Sequence, residues 1–160
     1  MWQLVFVSST AAVAVVSGLG AAAAAVGRRR YVAVTVSGAS MEPSFHHGDR
    51  VLVRRGRTGT PGQVVVAEHP VMGRPWAEPP LSGSASVRAL AGRSWMIKRV
   101  VAVEGDPVPR LDVLAAAGEG RVPPGSLVLI GDNAEASADS RFFGYFPAER
   151  VLGVAVRRLG

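Results

Sequence analysis

One serine and one lysine stand out in this sequence because of the chemistry that they could perform together. Ser40 lies between two apolar stretches, residues 31–36 and 50–53, and Lys98 is the only lysine among 18 lysine and arginine residues. Arginine keeps its proton in proteins, whereas a buried lysine can become a neutral base. A serine hydroxyl needs a base to act as a nucleophile. The two residues are a candidate catalytic pair, and chance retention of one surface lysine is the alternative.

The neighbours of Lys98 favour the catalytic interpretation. Lys98 is flanked by Met96, Ile97, Val100 and Val101, all apolar. A lysine among such residues is expected to be buried, and burial disfavours the charged form of an amine. The local sequence therefore predicts a lysine that can be neutral when it meets a hydroxyl.

The histidines offer no better base. His46 and His47 follow the serine closely in a predicted turn, and His69 falls in a predicted loop, so each is interpreted as a surface residue. The sequence lacks the zinc-binding patterns H-E-x-x-H and H-x-x-E-H, so no metal site or cofactor is expected. The absence of cysteine excludes disulfides and thiol catalysis.

Short apolar stretches separated by glycine- and proline-rich turns predict a mainly β fold. Residues 68–93 carry many prolines and glycines and are expected to form an irregular surface excursion, while residues 110–117 fit a short strand or a helical turn. The expected architecture is a small antiparallel β-sheet or barrel-like domain. Its predicted strands are residues 31–36, 50–54, 63–67, 94–103, 127–130 and 151–156.

The first 27 residues carry no charged side chain and are rich in alanine and valine. This length suits a single membrane-spanning helix. A cleaved signal peptide is the rival interpretation, although no basic region precedes the apolar stretch. The predicted organisation is an anchor over residues 1–27 and a catalytic domain over residues 28–160.

The net charge of +6 suggests an anionic partner. The arginines are scattered apart from residues 28–30 and 54–57, and few aromatic residues lie between them, so nucleic-acid binding is not expected. A lipid bilayer with anionic headgroups is the expected partner, and heavy use of arginine could also reflect a biased genome. The sequence does not indicate an oligomeric state.

Four short motifs occur in an order that resembles the type I signal peptidase family, whose members use a serine–lysine pair. They are Ser40-Met41-Glu42-Pro43, Lys98-Arg99-Val100-Val101, Gly131-Asp132-Asn133 and Ser137-Ala138-Asp139-Ser140-Arg141. Each motif alone is weakly specific, but their shared order is a much stronger signal. The resemblance extends from about residue 34 to residue 156.

The resemblance implies that Ser40 is the nucleophile and Lys98 the general base, with an acyl-enzyme intermediate. The backbone N–H of Ser40 would be one oxyanion donor. Some members of the family carry a second, hydroxyl donor two residues before the nucleophile, where this sequence has Gly38. The hole would then use backbone alone, or a water molecule or Ser37 would substitute.

The resemblance also implies supporting roles in the last motif. Ser137 would hydrogen-bond the Lys98 amine and orient it. Asp139 and Arg141 would form an ion pair behind the catalytic pair. An ordinary loop salt bridge is the alternative for these two residues, and it differs little from the implied role.

Three further residues are expected to shape the loops around the site. Pro43 would fix the turn after the nucleophile through its restricted φ angle. Asp132 and Asn133 would cap their turn with side-chain to backbone hydrogen bonds. Met41 is expected to be an apolar surface residue that faces peptide or lipid.

The implied substrates are the signal peptides of exported preproteins. The strand at residues 32–36 would pair with an extended peptide, and shallow pockets would accept small residues at the first and third positions before the cleavage site. The family places the catalytic domain outside the cytoplasm, on a single-pass plasma-membrane protein. Arg28–Arg30 argue for the opposite orientation under the positive-inside rule, or they could hold the domain against anionic headgroups.

Three other functions fit parts of the sequence. A dedicated peptidase for one precursor would keep the chemistry, and the short excursion at residues 68–93 is compatible with it. A self-cleaving regulator of the SOS-repressor type would need a DNA-binding helix-turn-helix at its start, where this chain is apolar. A membrane-tethered β module that binds peptides without cutting them would not depend on Ser40.

Overall fold

The computed structural model describes residues 30–70, 76, 78–83, 85–115, 118 and 120–159. Within them seven strands form one antiparallel sheet in the order β1-β2-β7-β3-β4-β5-β6, which confirms the predicted mainly β fold. The strands are β1 (Tyr31–Thr35), β2 (Arg50–Arg55), β3 (Val64–Glu68), β4 (Trp95–Val103), β5 (Ser126–Ile130), β6 (Phe146–Pro147) and β7 (Val151–Leu159).

The proposed anchor over residues 1–27 lies outside the described residues. In the part of the chain that the structure describes, no helix is both long enough and apolar enough to cross a membrane. The helices there are short: α1 (Val87–Ala91), α2 (Asp112–Ala115) and α3 (Ser140–Phe143), with 3-10 turns at Ala134–Ala136 and Ala148–Arg150. The ambiguous segment at residues 110–117 thus contains a short helix rather than a strand.

The position of a strand in the sheet explains whether exposed and buried residues alternate along it. β3 pairs with β7 on one side and with β4 on the other, and all five of its residues are buried. A strand covered on both faces is apolar throughout, and β3 is apolar up to its last residue, Glu68. β1 lies at one edge of the sheet, pairs only with β2, and alternates between exposed and half-buried residues.

Neighbouring residues of β4 contribute to different parts of the core, because successive side chains of a strand point to opposite faces. Met96 and Val100 pack in a cluster that also contains Phe146. Ile97 packs in a second cluster with Met41. β4 is therefore apolar on both faces around Lys98, and this arrangement explains the burial of the lysine.

The expectation that Met41 faces the surface is wrong. Its side chain is 0 % exposed and packs with Val36, Val51, Val64 and Ile97. The serine loop is thus pinned to the core by the residue that directly follows Ser40. A fully buried methionine contributes about 1.5–3 kcal/mol of stability relative to an exposed one.

Buried ion pairs fix the excursion at residues 68–93. Glu68 lies 2.5 Å from Arg93 and 3.0 Å from Arg150, and all three side chains are about nine-tenths buried. Arg55 donates to the carbonyl of Ala85 over 2.7 Å. Removing one partner of a buried ion pair leaves a costly unpaired charge, so these contacts hold the described part of the excursion in place.

Candidate active site

Ser40 lies in the loop of residues 36–49, which joins the edge strand β1 to β2. Two backbone hydrogen bonds close this loop at its base: Val36 N donates to Asp49 O over 2.8 Å, and Gly48 N donates to Val36 O over 2.9 Å. Pro43 lies in the turn that follows the serine, and the Glu42–Pro43 peptide bond is cis. The loop thus holds Ser40 at the end of an edge strand.

Lys98 lies in the middle of β4 and reaches the serine. Its Nζ atom is 2.9 Å from Ser40 Oγ and donates to the carbonyl oxygen of Ile97 over 3.0 Å. The lysine is 3 % exposed, whereas Ser40 is half-buried beside a cleft. A neutral amine that donates one hydrogen to Ile97 can direct its lone pair at the serine hydroxyl.

The surroundings of Lys98 favour this neutral form. Burial lowers the pKa of the Lys98 amine below its ordinary value of 10.5, and it outweighs the nearby Asp139 carboxylate, which raises that pKa. The more distant Arg141 guanidinium lowers the pKa further. The site therefore provides a lysine that loses its proton more easily than a lysine in water.

Asp139 organises the loop behind the pair. Its carboxylate is fully buried and accepts hydrogen bonds from Ser137 Oγ at 2.6 Å, from Gly131 N at 2.8 Å and from Arg141 Nη2 at 2.6 Å. Burial alone would raise the pKa of Asp139, but the hydrogen bonds from Arg141, Gly131 and Ser137 together hold it at about 2. The carboxylate is thus ionised at neutral pH and acts as a fixed acceptor.

The hydrogen bond expected between Ser137 and Lys98 is absent. Among the described residues, the amine bonds Ser40 and Ile97, and the Ser137 hydroxyl donates to Asp139 instead. The physical reason is that a buried carboxylate is a stronger acceptor than a neutral amine. Ser137 therefore supports Asp139 rather than the Lys98 amine.

Gly131 brings this loop against the nucleophile. A Cβ atom at Gly131 would lie 2.6 Å from the carbonyl oxygen of Ser40 and would overlap the Ser137 hydroxyl. Asn133 N donates to the same Ser40 carbonyl over 3.0 Å. The Gly131-Asp132-Asn133 motif thus packs against the backbone of Ser40 and hydrogen-bonds to it. Only glycine at position 131 allows the two segments to come this close.

The capping roles expected for Asp132 and Asn133 are wrong. Asp132 forms a two-point contact with Arg99, at 2.8 Å to Nε and 2.6 Å to Nη2, and this contact lowers the pKa of the carboxyl group. Arg99 also donates to Gly62 O over 2.7 Å. Asn133 makes no side-chain cap bond and contributes its backbone N–H. Planar arginine holds a carboxylate more rigidly than lysine can.

A cleft of about 320 Å³ runs past the pair. One wall is the continuous stretch 34–40, and the other includes the start of β4, residues 95–98. Ala136 and Ala138 contribute small side chains to the lining. His69, which the sequence placed in a surface loop, also lines the cleft. The cleft therefore suits an extended chain with small side chains near the serine.

Two other sequence-predicted positions take unexpected partners. Gly38 lines the cleft with φ of +82°, and its N–H donates to Nδ1 of His47 over 3.2 Å. His46 is exposed and lies 3.6 Å from Glu42.

Within the described residues, no group of three or more histidine and carboxylate side chains could hold a metal ion.

The sheet is antiparallel, and the site places a serine hydroxyl beside a buried lysine amine, an arrangement that fits a serine peptidase. Comparison with known proteins agrees with this class. The family model "Signal peptidase, peptidase S26" matches residues 110–159, and the model "Peptidase S24-like" matches residues 11–73. A probable signal peptidase I-2 of Synechocystis sp. is 27 % identical, and the match covers 84 % of this chain and 66 % of that relative.

These matches make the chain similar to signal peptidases and to peptidases of the S26 and S24-like families. The chain spans about two thirds of the length of the relative. Ser40 lies within one matched range, Asp139 lies within the other, and Lys98 lies between the two. Sequence reasoning missed the roles of Arg99 and Gly131, although both belong to the quoted motifs, because nothing in the sequence marks which partner each residue meets.

Proposed function

We propose that this protein is a membrane-bound serine endopeptidase that removes signal peptides from exported preproteins after small residues. The observation that carries the proposal is the 2.9 Å contact between Ser40 Oγ and the buried Lys98 Nζ at the edge of the cleft. The similarity to signal peptidases supports the reaction and the substrate class.

The proposed reaction proceeds in two stages. Lys98 takes the proton of the Ser40 hydroxyl as Oγ attacks the carbonyl carbon of the scissile bond. The protonated amine then gives that proton to the leaving nitrogen, the C–N bond breaks, and an ester to Ser40 remains. In the second stage Lys98 takes a proton from water, the resulting hydroxide attacks the ester, and the serine hydroxyl is restored.

The developing oxyanion needs donors close to Ser40. The backbone N–H of Ser40 has no acceptor among the described residues, so we assign it as one donor. Gly38 has no hydroxyl to offer, and its N–H already donates to His47. Ser37 is exposed and lines the cleft, so its hydroxyl is a candidate for the second donor.

Substrate recognition would use the free edge of the sheet. Among the described residues β1 pairs with β2 alone, and an extended peptide could add to its other side as a further strand. The side chains of Ala39, Ala136 and Ala138 keep the cleft shallow near Ser40. Small residues before the cleavage site would fit there, whereas larger residues would meet the walls.

The proposed location is the plasma membrane, with a single-pass anchor at residues 1–27 and the catalytic domain outside the cytoplasm. The exposed faces of β2 and β7 carry Arg50, Arg54 and Arg157, and none of these forms an ion pair with a described residue. Such a surface suits anionic lipid headgroups and supports the proposed bilayer partner.

The test is cleavage of a membrane-presented preprotein by the full-length protein, as wild type, Lys98→Arg and Ser40→Ala. We expect the wild type to cut after a small residue and both variants to lose at least about 10³-fold in rate, because arginine keeps the charge but cannot act as a base. Comparable cleavage by Lys98→Arg would remove Lys98 from the mechanism. A panel of unrelated preproteins separates a general enzyme from a dedicated one.

A further inference from the structure

His47 contacts the segment that leads to the nucleophile. Its Nδ1 atom accepts a hydrogen bond from the backbone N–H of Gly38, two residues before Ser40. We propose that His47 is a positioning residue that fixes the cleft wall at Gly38, and that it does so only while its imidazole is neutral. This proposal rests on the proposed function, because it assigns a support to the same nucleophile loop.

The cleft wall at this point has few other restraints. Of the backbone N–H groups from Ser37 to Ser40, only that of Gly38 has an acceptor among the described residues. Gly38 has φ of +82°, and a Cβ atom there would find nothing within 4 Å. Glycine can adopt other backbone conformations without a side-chain clash, and it has no side chain that packs against a neighbour here. The hydrogen bond to His47 therefore supplies a restraint that packing does not.

The contact defines which ring nitrogen of His47 carries the proton. A backbone N–H can only donate, so Nδ1 of His47 has no proton and the neutral ring carries its proton on Nε2. A protonated imidazole has N–H groups on both nitrogens and accepts no hydrogen bond. Protonation of the ring therefore breaks the contact and releases the wall beside Ser40.

Two pairs of ionisable groups involve residues of the loop that carries His47. Glu42 and His46 lie 3.6 Å apart, and Asp49 pairs with Arg158 at 3.1 Å. All four groups are unchanged in variants of His47, so their influence is common to every comparison between such variants and the wild type. Lys98 is likewise unchanged, so its own titration cancels in ratios of rates.

The kinetic test compares full-length wild type, His47→Asn and His47→Ala on the membrane-presented preprotein across the acidic and neutral range. Asparagine offers an amide oxygen in place of Nδ1, and this acceptor does not titrate. We expect His47→Ala to lower kcat/KM by about three- to tenfold at neutral pH, the usual effect of losing one hydrogen bond, and His47→Asn to retain most activity. The ratio of the asparagine variant to the wild type should rise on acidification.

A matched control removes the neighbouring imidazole. His46 is exposed and makes no contact with Gly38, so His46→Ala should match the wild type at every pH. Unchanged kcat/KM in His47→Ala would overturn the positioning role. A ratio of His47→Asn to wild type that stays constant with pH would overturn the dependence on neutral imidazole.

A second measurement does not depend on activity. In nitrogen-15 NMR spectra of the full-length protein in micelles, the proton of neutral His47 should lie on Nε2, and the Gly38 amide signal should shift as His47 titrates. A proton on Nδ1, or a Gly38 signal that does not respond, would overturn the contact itself. If the wild type cuts no preprotein while these signals behave as expected, the proposed function fails and the contact stands.

Discussion

At the residue scale, the burial of Lys98 sets reactivity against stability. Because burial lowers the pKa of the amine, the unfolded chain binds the proton more tightly than the folded chain does. Stability therefore rises with pH between the pKa of the folded lysine and its higher unfolded value. Below the folded pKa the protein must bury a charge, and at the same low pH the base required for cleavage is protonated.

Replacing the amine by a neutral group of similar length should separate the two effects. We expect Lys98→Met to abolish cleavage and to increase the free energy of unfolding at neutral pH by roughly 1 kcal/mol, because a buried amine is replaced by an apolar group. The gain should vanish as pH approaches the unfolded pKa of lysine. Chemical denaturation of both proteins at neutral and alkaline pH measures the difference in their free energies of unfolding.

Ser40→Ala is the control for that measurement, since it should also be inactive but keeps the buried amine. It should show no comparable gain in stability. A Lys98→Met protein less stable than the wild type would mean that the bonds of the amine to Ser40 and Ile97 outweigh its burial.

At the element scale, Gly131 couples two loops. It lies between the Ser40 carbonyl and the Ser137 side chain, so Gly131→Ala should push them apart. We expect a loss of about 1–3 kcal/mol in stability, as for other overpacked sites, and a fall in kcat greater than any change in KM. Gly120→Ala is the matched control, because a Cβ there meets nothing within 4 Å and its φ is not positive.

The measurements are thermal unfolding and cleavage kinetics of both glycine variants. If Gly131→Ala keeps wild-type kcat, the approach of the two loops is not needed to hold the nucleophile. If Gly120→Ala loses as much stability as Gly131→Ala, the loss reflects glycine replacement in general.

The strands and the burial of Lys98 could be predicted because their signals are local. Alternating apolar residues mark β1 and β2, and a single lysine among apolar neighbours marks Lys98. The two-residue strand β6 was missed because it is too short to alternate. The partners of Arg99 and Met41 were also missed: Arg99 meets Asp132, which is 33 residues away, and Met41 meets core residues from three strands. Such contacts arise only when distant segments pack together.

At the scale of the whole molecule, three exposed arginines lie near one another on one face of the sheet. Arg50 and Arg54 alternate with Leu52 along β2, and Leu52 lies opposite Arg157 of β7 and Ala33 of β1. Cross-strand partners share a face of the sheet, so the three arginines lie around Leu52 on that face. An arginine close to an anionic bilayer contributes about 1 kcal/mol of attraction.

The absence of cysteine allows a direct test of that face, because a single introduced cysteine takes one spin label. With Ala33→Cys in nanodiscs, we expect the label to become less accessible to water-soluble relaxation agents when anionic lipid replaces zwitterionic lipid. Replacing Arg50, Arg54 and Arg157 by glutamine should abolish this response, as should high salt, which screens exposed charges.

The control carries the same change in net charge elsewhere on the molecule. Arg88, Arg110 and Arg121 are exposed, and their replacement by glutamine should leave the response of the Ala33→Cys label intact. If both triple variants lose the response equally, net charge rather than this face attracts the lipid. If neither variant loses it, the face does not contact the bilayer, and residues 1–27 would have to hold the protein at the membrane without help from the sheet.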